Sequence, residues 1–318
     1  MNEEQPIIEA GPPTLNHVIG QQRAVRQLRT ALDAHFNDRM SGNSQALPHL
    51  LFVGPPGVGK SLLSQIIARE LGSTLHEELA QNLASPSQLH GLLMMANEGD
   101  VIFLDECHEL KPMVMTSLYR ALEERKLFLG GERHSIFLPS ITVIGATTDE
   151  WQLSKPLRDR FKITLRLEHY STEELEHLVS QRAKRLGWGI DDGAVYAIAF
   201  RGRGTPRLAI RLLEATHRTA RADNADSITP VHVDRMCDIE GIDTMGLDST
   251  EQKYLHLVRE AQGPVRLNVL ATQLGLPRRT IEGVIESELI RLGLVTKTEE
   301  GRMLTGIGAA HVAGLSSL

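Results

Sequence analysis

The chain has 318 residues, a length that suits about two domains with room for a small third. Apolar residues make up 41 %, ample for packed cores, yet no apolar run approaches the ~20 residues that span a bilayer. The formal charge of −6 excludes a chain-wide basic field, so any contact with nucleic acid must come from a local patch.

The N-terminal MNEEQPIIEAGPP is acidic and carries prolines, unlike a signal peptide, and the expectation is a cytoplasmic protein. HLLFVG (49–54) is a short apolar run stopped by glycine and reads as a buried parallel strand. SLLSQIIARELG follows with apolar residues at helical spacing. VIFLDE (101–106) and ITVIGATT (141–148) read as further buried strands, with TLHEEL (74–79) and ITLRLEHY (163–170) as weaker ones. SQLHGLLMMANEG and PMVMTSLYRALEERK supply helices between them, and such alternation means a parallel sheet covered by helices. KLFLGGERHSIFL (126–138) interrupts it with a β-hairpin centred on Gly-Gly-Glu-Arg.

From Ser171 to about Gly241 strand signals vanish, and STEELEHLVSQRAKRLG opens an all-helical region with capping residues. IDTMGLDS (242–249) reads as a linker. EQKYLHLVREAQ, RLNVLATQLG and RRTIEGVIESELIRLG give three closely spaced helices, and LVTKTEEGRMLTG gives two short strands around a turn. Three helices and a two-stranded wing make a winged helix-turn-helix. The fold expected is an α/β P-loop ATPase domain with a parallel sheet (1–170), a helical lid (171–241), and a linker with a winged-helix head (242–318).

GPPGVGKS (54–61) matches the G-x-x-x-x-G-K-[ST] phosphate loop and sits between a strand and a helix, as its mechanism requires. Gly54, Gly57 and Gly59 let backbone N–H groups wrap phosphates, Lys60 pairs with the outer ones, and the Ser61 hydroxyl takes Mg²⁺, with Leu62 next along the helix. In VIFLDECH, Asp105 is placed for the metal and Glu106 to polarise the water that attacks the γ-phosphate of ATP. Thr147 and Thr148, at the tip of the next strand, are candidates to hold that water or the γ-phosphate. Cys107 and His108 read as structural residues at a strand end, since no second cluster with ligand spacing accompanies them. Two thiols, Cys107 and Cys237, suit a reducing interior rather than a disulfide framework. Arg207 in RGRGTPR is placed either to fold over the nucleotide or to pair with a surface acid.

The order GPPGVGKS, DECH, GATT, PLRDRF, RGTPR resembles the AAA+ ATPases and, within them, the RuvB family of Holliday-junction branch-migration motors. LNHVIGQ is similar to that family's entry segment, LEHY to its stretch bearing a nucleotide-side tyrosine, and GPVRLNVLATQLG with TEEGRM to its winged domain. The resemblance covers nearly the whole chain. It implies ATP and Mg²⁺ as cofactors, Val18 and Ile19 lining the adenine site, and Tyr170 approaching the nucleotide. It implies a homo-oligomeric, hexameric ring in which Arg160 of PLRDRF reaches a neighbour's γ-phosphate, supported by Arg158. Duplex or junction DNA is then the partner, with Lys297 and Arg302 matching the DNA-contacting positions, and a RuvA-type protein the second partner. A clamp-loading or protein-remodelling switch with a protein-binding head is the alternative. Three departures from the family pattern stand out. Gly11-Pro12 replaces an Arg-Pro pair, the 126–138 hairpin is shorter, and Glu299 and Glu300 make the wing acidic.

Overall fold

The computed structural model describes residues 11–42, 45–129 and 134–315, which fall into two compact units. The first takes residues up to 190 together with 204–214; the second takes 191–203 and 215 onward.

In the first unit, strands β1 (Leu50–Val53), β2 (Leu75–Leu79), β3 (Val101–Asp105), β6 (Thr142–Thr147) and β7 (Ile163–Arg166) form one parallel sheet in the order β2-β3-β6-β1-β7. Residues of β1 alternate between two cores: Leu50 and Phe52 join one cluster, Leu51 the other. A strand buried on both faces needs apolar residues throughout, which is why these strands read as continuous apolar runs. Helices α1 (Gln22–Met40), α2 (Lys60–Leu71), α3 (Pro86–Met95), α4 (Pro112–Glu124) and α6 (Thr172–Leu186) accompany the sheet, with a short α5 (Lys155–Arg158) before β7. The hairpin strands β4 (Lys126–Leu129) and β5 (His134–Phe137) pair antiparallel, while their expected turn centre at 130–133 lies outside the described residues.

The strand expected over 163–170 is shorter in the structure. Its partner β1 stops at Val53 because Gly54 enters the phosphate loop. Leu167 N still donates to Val53 O, but Glu168 N turns to the Gln21 side chain.

Helix α8 (Pro206–Ala222) begins in the first unit and ends in the second. The second unit holds α7 (Asp192–Arg201), α9 (Pro230–Glu240), α10 (Ser249–Glu260), α11 (Leu267–Leu274), α12 (Arg278–Thr280), α13 (Ser287–Arg291) and the wing strands β10 (Val295–Lys297) and β11 (Arg302–Leu304). Two-residue strands β8 (Gly189–Ile190) and β9 (Ser227–Ile228) are the exceptions to the expected all-helical stretch.

Three features here were not legible in the sequence. Between α12 and α13 the chain widens into a π-helix over Ile281–Glu286, a distortion that tends to mark functional sites. A further helix, α14 (Gly306–Leu315), forms from a glycine-bearing segment because Val312 docks, fully buried, in the head core. The 242–249 stretch is packed rather than loose: Leu247 is fully buried, and Asp243 accepts the N–H groups of Met245 and Leu247 and pairs with His311 at 2.7 Å.

Candidate functional site

The sheet order sets β6 between β1 and β3, so the carboxyl ends of these three strands lie side by side, where open α/β sheets bind ligands. After β1, the chain can tuck close against its neighbour only because residue 54 is glycine: a Cβ there would meet Leu167 O at 2.4 Å. At the other end of the loop Gly59 adopts φ +104°, a backbone conformation that disfavours any side chain, and α2 starts at the next residue. The first N–H groups of α2, Ser61 among them, have no partner within the helix and face the loop with the positive end of its dipole. Lys60 is buried, its Nζ donating to Gly54 O at 2.8 Å and Pro55 O at 3.0 Å. Burial pushes that ammonium below its ordinary range, against the attraction of Glu106 and Asp105.

β3 delivers Asp105, whose carboxylate accepts Glu106 N at 3.0 Å and is pushed up by burial and by its acidic neighbour. Glu106 then turns at φ +48° and aims its side chain across to the tip of β6. There Glu106 Oε2 accepts from Thr148 N (3.3 Å) and Thr148 Oγ1 (3.2 Å). Thr147, by contrast, is fully buried and bonds His108 Nδ1 at 3.0 Å. Cys107 is buried against Gly145, and burial raises its thiol far above the range in which it would ionise. The described residues contain no group of three or more His, Cys, Asp and Glu placed to hold a metal by themselves. Ser61 and Asp105 would therefore hold a magnesium ion only together with phosphate oxygens and water, the usual habit of that ion.

Val18, Leu62 and Tyr170, expected on the adenine side, pack against the core cluster that holds Leu50 and Phe52, and Ile19 is half-buried beside Val18. Burial pushes the Tyr170 phenol up to about 12, and its ring presses on Gly20. Gly11 accepts a hydrogen bond from the Arg185 guanidinium on its carbonyl. Arg207 donates its backbone N–H to Gly57 O at 3.3 Å, closing the phosphate loop with an exposed side chain.

The arginines of PLRDRF sit elsewhere. Leu157 and Phe161 are buried in the core and fix the segment, leaving Arg158 and Arg160 at the surface. Arg158 lies over the Trp151 ring at 4.9 Å, and Arg160 Nη2 pairs with Glu123 at 2.5 Å. Arg160 lines a cavity of ≈ 350 Å³ with Pro48 and His49, the residues that lead into β1. It therefore stands at the amino edge of the sheet, opposite the phosphate loop.

In the head, Lys297 and Arg302 face each other across β10 and β11 rather than lying in a free loop. Both are held by Glu286, a fully buried residue of the π-helix: Lys297 Nζ at 2.9 Å from Oε2, Arg302 Nε at 2.9 Å from Oε1. Arg302 also reaches Glu282 at 3.1 Å, and Tyr254 donates its hydroxyl to Glu286 at 3.0 Å. Burial alone would raise the Glu286 carboxyl, but hydrogen bonds from Arg302 and Lys297 outweigh it and hold it below its ordinary range. Arg302 thus has a structural task that the motif did not disclose. Arg278 and Arg279, adjacent in LPRRT, are exposed at the start of α12. Glu299 and Glu300 are exposed in the wing turn.

Three family models match in sequence. The Holliday junction DNA helicase RuvB P-loop domain covers residues 10–167, the RuvB AAA lid domain 170–243, and the RuvB C-terminal winged helix domain 244–313. The chain belongs to the RuvB family. The Thermotoga maritima RuvB Holliday junction branch migration motor matches at 35 % identity and a TM-score of 0.82, over 96 % of this chain and 98 % of that one. A mutant of the same Thermotoga protein matches at 34 % identity and a TM-score of 0.84, over 96 % and 98 %. The ORC2 protein of Aeropyrum pernix, at 16 % identity and a TM-score of 0.54 over 91 % and 92 %, shares the fold. Among the described residues no helix is long and apolar enough to cross a membrane.

Proposed function

We propose that this chain is an ATP-hydrolysing ring motor that translocates duplex DNA and drives branch migration of Holliday junctions in recombination and repair. Family membership over the P-loop, lid and winged domains supports an ATP-driven DNA motor, and it disfavours a clamp-loading or protein-remodelling switch. The observation that carries the ring is the position of Arg160. The register pairs Leu50 with Ile163 and Val53 with Arg166, so Arg160 precedes one end of these strands while Gly54 follows the other. Four strand residues alone span about 13 Å, more than an arginine side chain can bridge. An arginine finger at Arg160 must therefore serve a neighbouring subunit, and a hexamer is the ring proposed.

Nucleotide binds at the carboxyl edge, with the adenine against Val18, Ile19 and Leu62, near Tyr170. Backbone N–H groups from Gly57 to Ser61 take the phosphates, Lys60 leaves its carbonyls for the outer ones, and Arg207 closes over the loop. Ser61 and Asp105 would hold a magnesium ion, which would supply charge neutralisation to the phosphates. Glu106 takes the proton of the attacking water as its oxygen bonds phosphorus and the bond to the β–γ bridging oxygen breaks, giving ADP and phosphate. Thr148 orients Glu106 and that water, and Arg160 of a neighbour, with Arg158 adjacent in a supporting role, meets the charge of the transition state. On DNA, Arg278, Arg279 and the half-exposed Lys297 take phosphates, while Arg302 organises the wing that carries Lys297. A RuvA-type partner is assigned to the β4–β5 hairpin, which presents Ile136 and Phe137.

ATPase rate measured with no DNA, with linear duplex and with a four-way junction tests this reading. Stimulation by the junction is expected; a rate indifferent to both DNAs overturns the motor.

A further inference from the structure

His108 is set aside by the motif as the last residue of DECH, yet the structure makes it a bridge between two strands of the site. The register that pairs Leu104 with Gly145 brings Glu106 level with Thr147. His108 Nδ1 lies 3.0 Å from Thr147 Oγ1 and 3.3 Å from Glu106 Oε2, and the ring is almost wholly buried. Thr147 Oγ1 in turn accepts Asp149 N at 3.0 Å, which fixes the turn that carries Thr148. Nδ1 faces both acceptors at closer range than Nε2 faces Glu109, so we assign the hydrogen to Nδ1, shared between Thr147 Oγ1 and Glu106 Oε2. On the far side of the ring Nε2 lies 3.5 Å from Glu109.

We propose that His108 is a positioning residue for hydrolysis. Its Nδ1–H ties the Glu106 carboxylate to the β6 tip, so that Glu106 and Thr148 face the attacking water as one unit. The need for such a tie follows from the backbone. Glu106 sits at φ +48°, a conformation costing on the order of 1 kcal/mol, so the turn that aims its side chain must be held from outside. Cys107 anchors that turn from below by packing, which fixes the backbone but not the carboxylate. Thr148 reaches Glu106 from an exposed position, whereas the His108 side chain does so with only 9 % of its surface exposed. The tie matters for the chemical step and not for holding nucleotide, since the hydrogen bonds and ion pairs of His108 among the described residues go to Thr147, Glu106 and Glu109 and not to the phosphate loop or Asp105.

The inference rests on Glu106 being the base, and the experiment separates the two claims. Full-length Glu106→Gln, His108→Leu and His108→Asn are compared for kcat, KM and affinity for a fluorescent nucleotide analogue. Leucine keeps the bulk of the ring without a polar atom; asparagine can place an amide N–H near the Nδ1 position. Expected for His108→Leu is a kcat lowered roughly 10- to 100-fold with nucleotide affinity within about twofold, and for His108→Asn a kcat within about threefold of the parent. A His108→Leu protein with parental kcat overturns the proposal. So does an equal loss in both His108 variants, or loss of nucleotide binding in His108→Leu, since either marks general support of the site. If Glu106→Gln itself hydrolyses ATP normally, the assignment of the base fails instead.

Discussion

The sheet edge and the winged head gather similar charges and hold them in opposite ways. At the sheet edge Lys60 rests on two backbone carbonyls, which phosphate oxygens can replace in kind, and Asp105 accepts a backbone N–H, a contact that a cation can replace. In the head Glu286 is fully buried and bound by Lys297, Arg302 and Tyr254, so freeing either cation strands a carboxylate in the core. Removing one partner of a buried pair costs about 3–5 kcal/mol, whereas exchanging one backbone contact for a phosphate contact costs little. Charged residues at a motif position are therefore not equivalent. Those held by backbone are poised for ligand; those held by a buried partner are first of all structure.

The comparison is sharpened most by Arg160. Arg160→Ala is expected to bind nucleotide normally and to lose roughly 10³-fold or more in hydrolysis, measured by steady-state ATPase. Mixed with an excess of Glu106→Gln subunits it should regain activity, because some interfaces then join an intact Glu106 to an intact Arg160. Mixed rings that form yet stay inactive at every ratio would break the assignment in trans. Lys60→Ala should weaken nucleotide affinity roughly 100-fold by titration with a fluorescent analogue, leaving the melting temperature of the free protein nearly unchanged. A large loss of stability would mean Lys60 is structural, like Arg302.

Glu286→Gln is expected to destabilise the head by about 3 kcal/mol in denaturant unfolding. The sign with pH follows from the depressed carboxyl. Its contribution is present above the ordinary value of 4.5 and is lost as pH falls through the lower value of the folded state, so acid should cost the parent more than the Gln variant. The smallest effect concerns DNA. Arg278→Ala and Arg279→Ala in the full chain should weaken duplex binding by less than about tenfold each, equally on unrelated sequences, and flatten the log–log salt slope by about 0.9 per lost phosphate contact. Arg302→Ala should instead lower head stability. If it changes the salt slope with stability intact, its guanidinium does reach phosphate.

The sequence disclosed most where one local rule decides. GPPGVGKS needs its glycines for the close approach at residue 54 and the turn at residue 59, and doubly buried strands need apolar runs, so the sheet and the loop were legible. The head was less so because its decisive facts are tertiary. Nothing in IEGVIE announces a π-helix that buries Glu286. GIGAAHVAGL is a poor helix by propensity and forms because Val312 has a core to fill. LVTKTEEGRM reads as two strands around a turn, but it suggests a loop position for Lys297 and Arg302, which in fact pair on the strand ends, and it cannot say that both point at one carboxylate. His108 was visible as a residue, while its bridge to Thr147 depends on the register between β3 and β6.

The most direct test of the motor itself is dissociation of a four-way junction by the intact chain, with Glu106→Gln as the paired control. The account predicts conversion of the junction to duplex products that requires ATP, magnesium and an intact Glu106. ATP hydrolysis at the parental rate that never moves the junction, under conditions where rings and DNA complexes both form, would contradict it.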